Sequence, residues 1–311
     1  MNFTQLEYAV AVHTHRHFAR AAAACFVTQP TLSMQLHKLE LELGIKLFDR
    51  SKQPVVTTPD GLEVVAYARR ILAEKNNLSE FAQARKGLLS GELKVGIIPT
   101  LAPYLLPLFI PAFTRRYPAV KLIINELVTD AVIHQLREGR IDAGILVTPL
   151  NEPGIREEVL FYEEMLAYIS PKNMAYRKTY VLPQDIDPNK LWLLEEGHCF
   201  RTQIANLCQL RKASLEGSHF EYEAGSLETL RRLVELNDGV TILPEMATLE
   251  LSAKQKKLLR RFRKPAPVRE VSIATHRDFL KKRLIEAMKK EITASIPEKV
   301  AANKSPNVVP L

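Results

Sequence analysis

Cys199 and Cys208 stand nine positions apart in the run Gly197-His198-Cys199-Phe200-Arg201-Thr202-Gln203-Ile204-Ala205-Asn206-Leu207-Cys208, and they are two of only three cysteines in 311 residues. Ile204, Leu207 and Cys208 fall at helical spacing, so the stretch after Cys199 reads as a helix. Nine residues of α-helix rise roughly 13.5 Å, whereas a disulfide needs its Cα atoms within about 7 Å. If both thiols belong to this helix, pairing them requires the helix to be rebuilt, which makes a redox switch the first hypothesis. The plainer alternative is packing, because free cysteine is among the most buried residue types. The pair is not Cys-x-x-Cys and lacks the clustered Cys/His spacing of a zinc site, so neither a metal nor another cofactor is expected.

A thiol of this kind needs a positive environment and small polar neighbours. The thiolate is the nucleophile toward peroxide, and a helix N-terminus, Arg201 and a protonated His198 would favour that anion. Thr100 and Thr129 both follow predicted strands, where open parallel sheets collect ligands. Threonine hydroxyls donate and accept hydrogen bonds, which suits a ligand as small as hydrogen peroxide. Each also has an ordinary reading, Thr129 as the cap of the helix that follows it.

The elements that would position these groups read as strands alternating with helices. Glu92–Ile98, Val120–Leu127 and Ile141–Val147 are predicted strands of one lobe, with helices through Arg116 and to Gly139 between them. This β-α-β-α-β order argues a parallel sheet with covering helices. Leu191–Leu194, the cysteine segment, Phe220–Ala224, a helix from Ser226 and Val240–Pro244 make a second lobe. Val271–Ala274 and a helix over Phe279–Ile296 return to the first. Two α/β lobes with a cleft between them result, similar to periplasmic solute-binding proteins. Lobe I is expected over about 91–162 and 268–297, lobe II over about 163–267, and 298–311 as a polar, disordered tail.

The first ninety residues are different. Leu6, Ala9, Val10 and His13 mark a short helix, and His17–Cys25 a second, alanine-rich one. Thr28 is an N-cap, Pro30 fits the first turn, Leu32, Leu36, Leu39 and Leu43 form an inward stripe, and Gly44 ends the helix. Two helices joined by a tight turn read as a helix-turn-helix. On the outer face Thr31, Ser33, Gln35 and Lys38 can donate to base edges or phosphates in a major groove. With the opening turn Thr28-Gln29-Pro30 and with Arg50, they make up the expected DNA-binding set. Val55–Gly61 reads as a β-wing. The winged domain is expected over 1–60 and a linker helix with hinge over 61–90. That long helix, with Val65, Ala68, Ile71, Leu72 and Leu78, needs a partner for its apolar side, and a second copy of the chain is the simplest one.

The net charge of +8 favours an anionic partner such as double-stranded DNA. No apolar run approaches the ~18 residues of a membrane helix, so no membrane association is expected. With three cysteines and no export signal, the expectation is a cytoplasmic protein whose thiols rest reduced.

Leu39-Glu40, Leu43-Gly44, Leu47-Phe48 and Arg50, behind Thr28-Gln29-Pro30-Thr31-Leu32-Ser33, resemble the N-terminal domain of LysR-type transcriptional regulators, and the resemblance extends over the whole chain. Ile98-Pro99-Thr100, Pro103–Pro107, Leu194–Cys199 and Ser226–Arg231 are similar to the peroxide-sensing branch of that family. The resemblance implies that Cys199 is the peroxidatic thiol and Cys208 the resolving one, joined in an intramolecular disulfide. It implies Thr100, Thr129, His198 and Arg269 as the peroxide pocket. It further implies an activator of oxidative-stress genes, built as a homodimer or homotetramer, that works with RNA polymerase. The alternatives are a LysR-type regulator that binds a small organic metabolite in the cleft, and a thiol peroxidase. A peroxidase has no need of a helix-turn-helix, so no enzyme is expected.

Overall fold

The computed structural model describes residues 1–84, 89–209, 225–276, 281–303 and 307–311. It divides into two compact units, one over Met1–Ser90 and one that begins at Gly91.

In the first unit, α1 (Phe3–His15) opens with a reciprocal cap between Asn2 and Gln5, and α2 (Phe18–Ala24) buries Ala21 and Ala22. α1 buries Leu6, Ala9 and Val12, whereas Val10 and His13, expected on that face, lie at its margin. The helix α3 (Gln29–Leu43) starts at Thr28, whose side chain accepts from the Thr31 N–H, and ends at Gly44 in the left-handed region, φ 70°. Leu32, Leu36 and Leu39 are fully buried, each worth about 1.5–3 kcal/mol. β1 (Phe48–Asp49) pairs antiparallel with β2 (Val56–Thr57) as a small wing. α4 (Pro59–Ala84) follows at once, and a Cβ at Gly61 would meet the Leu47 carbonyl at 2.2 Å, so the wing packs there only on a glycine. Val65 and Ala68 of α4 are buried, while Leu62, Tyr67, Ile71 and Leu78 are exposed along it.

In the second unit, β3 (Gly91–Ile97) lies between β4 (Val120–Glu126) and β5 (Ala143–Thr148), all parallel, with α5 (Ala102–Arg116) and α6 (Thr129–Arg137) as connections. The 15-residue β6 (Ile155–Ile169) ties the two lobes together. Its first two thirds pair with β10 (Val268–His276), which itself pairs with β5. Its last residues pair with β8 (Val240–Pro244) and β9 (Leu259–Phe262), and β7 (Tyr180–Val181) adds to β9. One curled sheet of eight strands therefore runs through both lobes. Around it lie α7 (Cys199–Leu207), α8 (Leu227–Leu236), α9 (Ala253–Lys256), α10 (Lys282–Ser295) and α11 (Glu298–Ala301). No helix among the described residues is long and apolar enough to cross a membrane.

Three expectations need correction. Leu191–Leu194 is not a strand; Leu191 makes a single bridge to Val240. The tail after 297 is not devoid of structure. It forms α11, Val308 bridges to Val268, and Val309 is buried in the lobe II core, because its edge N–H and C=O groups pair with β10 and α7. Thr129 does not cap α6; Val128 holds the cap position and makes no side-chain cap bond. The expected strand Phe220–Ala224 and residues 85–88 of the expected linker and hinge lie outside the described residues.

Candidate functional site

α7 turns out of the preceding loop at Gly197, φ 92°, and begins at Cys199 with His198 as its N-cap residue. Phe200, Gln203 and Ile204 face inward and are buried. The Cys208 N–H still donates to the Ile204 carbonyl at 3.0 Å, so helical bonding reaches from one cysteine to the other. Both thiols are free and partly buried, and Cys208 packs against the lobe II core. The separation inferred from the sequence therefore holds.

The two thiols differ in surroundings. Burial pushes the Cys199 thiol above its ordinary value, while the Thr129 hydroxyl, the Arg269 charge and the backbone N–H groups of Phe200 and Cys199 pull it back toward the anion. Burial alone acts on Cys208 and pushes it up to about 11. Polar and charged neighbours thus favour the anion of Cys199, whereas Cys208 packs against apolar side chains with burial alone acting on it.

Cys199, His198 and Thr129 line one cavity of about 270 Å³, together with Gly197, Thr202, Asp130 and Leu311. The Thr129 oxygen is buried without a hydrogen-bond partner. Freed from capping, it is a donor close enough to Cys199 to favour that thiol's anion. His198 is buried, with Nε2 3.5 Å from Glu195 Oε1.

Thr100 and Arg269 do not line that cavity but are bound to each other. Arg269 Nη1 donates to Thr100 Oγ1 at 2.9 Å and Nη2 to the Thr100 carbonyl at 3.1 Å. The guanidinium lies 5.1 Å from the ring centroid of Phe200, the residue after Cys199. Arg201, expected to favour the thiolate, instead donates to the Leu194 carbonyl at 2.7 Å. Glu163 was not anticipated. It is fully buried and 2.7 Å from Arg269. The alternation Phe161, Glu163, Met165 along β6 puts it on the inward face, and that period-two signal was available in the sequence.

In the first unit, Thr28, Gln29, Pro30, Thr31 and Lys38 are exposed along the start and outer face of α3. Ser33 Oγ accepts from Arg50 Nη1 at 3.1 Å and Gln35 Oε1 accepts from Gln5 Nε2 at 3.2 Å. Arg50 also pairs with Glu40 at 2.9 Å and lies over Phe18. The exposed members of the expected set therefore lie at the N-terminal end of α3, where the Thr28 and Thr31 hydroxyls bond each other at 2.8 Å, and at Lys38.

Residues 3–62 match the bacterial regulatory helix-turn-helix family of lysR type, and residues 86–296 match the LysR substrate binding domain. A hydrogen peroxide-inducible genes activator of Dickeya chrysanthemi is 38% identical over 88% of both chains. The DNA-binding transcriptional dual regulator OxyR of Escherichia coli is 40% identical over 79% of this chain and 80% of its own. A full-length OxyR structure from Pseudomonas aeruginosa superposes with TM-score 0.77 at 36% identity, covering 97% of this chain and 99% of the other.

Proposed function

The chain belongs to the LysR family of bacterial helix-turn-helix regulators, and from that membership we propose that it is a hydrogen peroxide-responsive transcription activator switched by a Cys199–Cys208 disulfide. The observation that carries this reading is the asymmetry of two thiols on one helix. Cys199 is served by Thr129, Arg269 and backbone N–H groups, and Cys208 by nothing that favours its anion.

The Cys199 thiolate attacks one peroxide oxygen. The O–O bond breaks, a sulfenic acid forms and hydroxide leaves, taking up the proton that the thiol released. The Cys208 thiolate then attacks the sulfenic sulfur, expelling a second hydroxide as the S–S bond closes. Thr129 and His198 line the space where peroxide would sit, and Arg269, bound to Thr100, acts on Cys199 through its charge. Because α7 keeps the thiols too far apart, the second step rebuilds the helix, and this change is the signal. It is a stoichiometric event in a cytoplasmic regulator rather than the turnover of an enzyme.

The output is on DNA. α3 enters the major groove of an operator, and the exposed apolar residues of α4 join two chains so that two half-sites are read together. A dimer of such dimers, re-spaced by oxidation, would then present RNA polymerase with a different surface. Peptide mapping after modest peroxide is expected to find Cys199 and Cys208 in one linked pair, and Cys199→Ser is expected to abolish promoter activation by peroxide. Recovery of both thiols free from oxidised protein would refute the proposal.

A further inference from the structure

Resting on the peroxide–thiol reading above, we propose that Glu163 is a positioning residue of the thiol site that acts on Cys199 through Arg269. Glu163 and Arg269 are direct cross-strand partners in the β6–β10 register, and both side chains are fully buried. Arg269 Nε donates to Glu163 Oε1 at 2.7 Å, and the other carboxylate oxygen accepts from the Met246 N–H at 3.0 Å. With both oxygens engaged from different elements, the carboxylate cannot turn. The guanidinium it fixes also donates to Thr100 from both Nη atoms and has its face beside Phe200. Arg269 is thereby set from three sides: β6, the residues after β3, and the first turn of the cysteine helix.

Stability does not call for this arrangement. A buried ion pair is usually matched or exceeded in stability by apolar residues of the same volume. What the pair does supply is a positive charge close to a thiol, trimmed by a carboxylate that limits how far it favours the anion. Glu163 therefore has two effects on Cys199: its charge sets the field that Arg269 exerts, and its geometry keeps Arg269 on Thr100. Other charged or titratable groups face this region. Glu245 is held by Lys299 and Asn303. Tyr104 donates to Glu228, His198 lies beside Glu195, and Asp130 lies across the cavity. None of them is hydrogen-bonded to the Arg269 guanidinium, which leaves Glu163 as its carboxylate partner among the described residues.

The test uses full-length protein with Cys25 and Cys208 replaced by Ser. The pH midpoint of Cys199 alkylation by iodoacetamide is measured, together with the ratio of its peroxide rate to its iodoacetamide rate. In Glu163→Gln the midpoint is expected to fall by about one pH unit, because Arg269 keeps its charge and loses the one opposing it. The peroxide-to-iodoacetamide ratio is expected to fall about tenfold as Arg269 loosens from Thr100. Glu163→Asp keeps the charge but is too short to hold Met246 and Arg269 at once, so its midpoint should stay at the wild-type value while its ratio falls. A Gln variant with wild-type midpoint and ratio would overturn the proposal. Should that variant fail to fold, an Asp variant with a wild-type ratio would do the same. Failure of peroxide to link Cys199 and Cys208 in the wild-type chain would defeat the parent reading instead, and the alkylation midpoints would still decide the Glu163 coupling.

Discussion

If the disulfide forms by dismantling α7, then any side chain anchored by that helix only in the reduced state controls the redox equilibrium. Ile204 is the sharpest probe. It lies between the cysteines and is 1% exposed in the lobe II core, in the same buried cluster as Phe200 and Leu230. Closing a separation of roughly 13.5 Å to under about 7 Å removes more than one helical turn of about 5.4 Å, and that turn carries Ile204. Ile204→Ala removes buried methyl groups and leaves a cavity, a loss of about 2–4 kcal/mol. If the side chain is released on oxidation, the loss falls on the dithiol form alone. The disulfide then becomes harder to reduce, and its potential moves about 40 to 85 mV more negative at 30 mV per 1.4 kcal/mol. Equilibration in glutathione buffers, quenching by alkylation and intact mass give the potential directly. Ile273→Val in β10 is the control, because Ile273 lies on a strand outside α7 and should destabilise both forms alike. A potential unchanged in Ile204→Ala, with a lowered melting temperature in both redox states, would mean that Ile204 stays packed after oxidation. The reasoning from helix length would then be wrong.

Thr129→Val removes the buried hydroxyl that favours the Cys199 anion. A hydrogen bond to a charged group is worth about 1.5–3 kcal/mol, so the peroxide rate at neutral pH should fall ten- to a hundredfold by sulfenate trapping, and an unchanged rate would remove Thr129 from the site. For Cys208, a folded value raised to about 11 from 9.0 means the buried thiol contributes stability below pH 9 that is lost as pH rises to about 11. The melting temperature of reduced protein should drop across that window, less steeply in Cys208→Ala; identical slopes would show that the thiol is not insulated in the fold. Lys38→Ala should weaken operator binding and lower the slope of log affinity against log salt by about one, read by fluorescence anisotropy, and an unchanged slope would place Lys38 off the phosphates.

What was legible in the sequence was local. The leucine stripe of α3, its Thr28 cap and its Gly44 stop are each decided within a few residues, and they stand where the spacing puts them. β6 was missed as a strand, because Arg156-Glu157-Glu158 and Glu163-Glu164 give it the charge of a surface loop and mask the short alternation at Phe161, Glu163 and Met165. Its outer residues are solvated and its inner Glu163 is neutralised by a partner from β10, so pairing supplied what composition hid. Arg201 misled for a geometric reason. Two residues along a helix turn the side chain by roughly 200°, so it points away from Cys199 and reaches Leu194 instead. The tail read as disordered because its order depends on bonds made elsewhere: Gln203 Nε2 donates to the Val309 carbonyl at 2.7 Å and Asn206 Nδ2 to that of Pro310 at 3.2 Å.

Those two tail bonds and the insulation of Cys208 bear on the same step. A resolving thiol must come within bonding distance and must lose its proton, and intact α7 denies both, since it holds Cys208 far along the helix and against apolar side chains. Loosening of the helix supplies both conditions at once: the chain shortens, and the thiol meets water, where its value returns toward 9.0. On the proposed mechanism, sulfenic acid formation at Cys199 would therefore precede the conformational change, and disulfide formation would follow it. On the proposed mechanism Glu163 and Arg269 act on the first step, and the packing of Ile204 and the tail bonds of Gln203 and Asn206 oppose the second. A variant that speeds sulfenate formation without loosening α7 should accumulate sulfenic acid, whereas Ile204→Ala should not, because its resolving step is the one made easier.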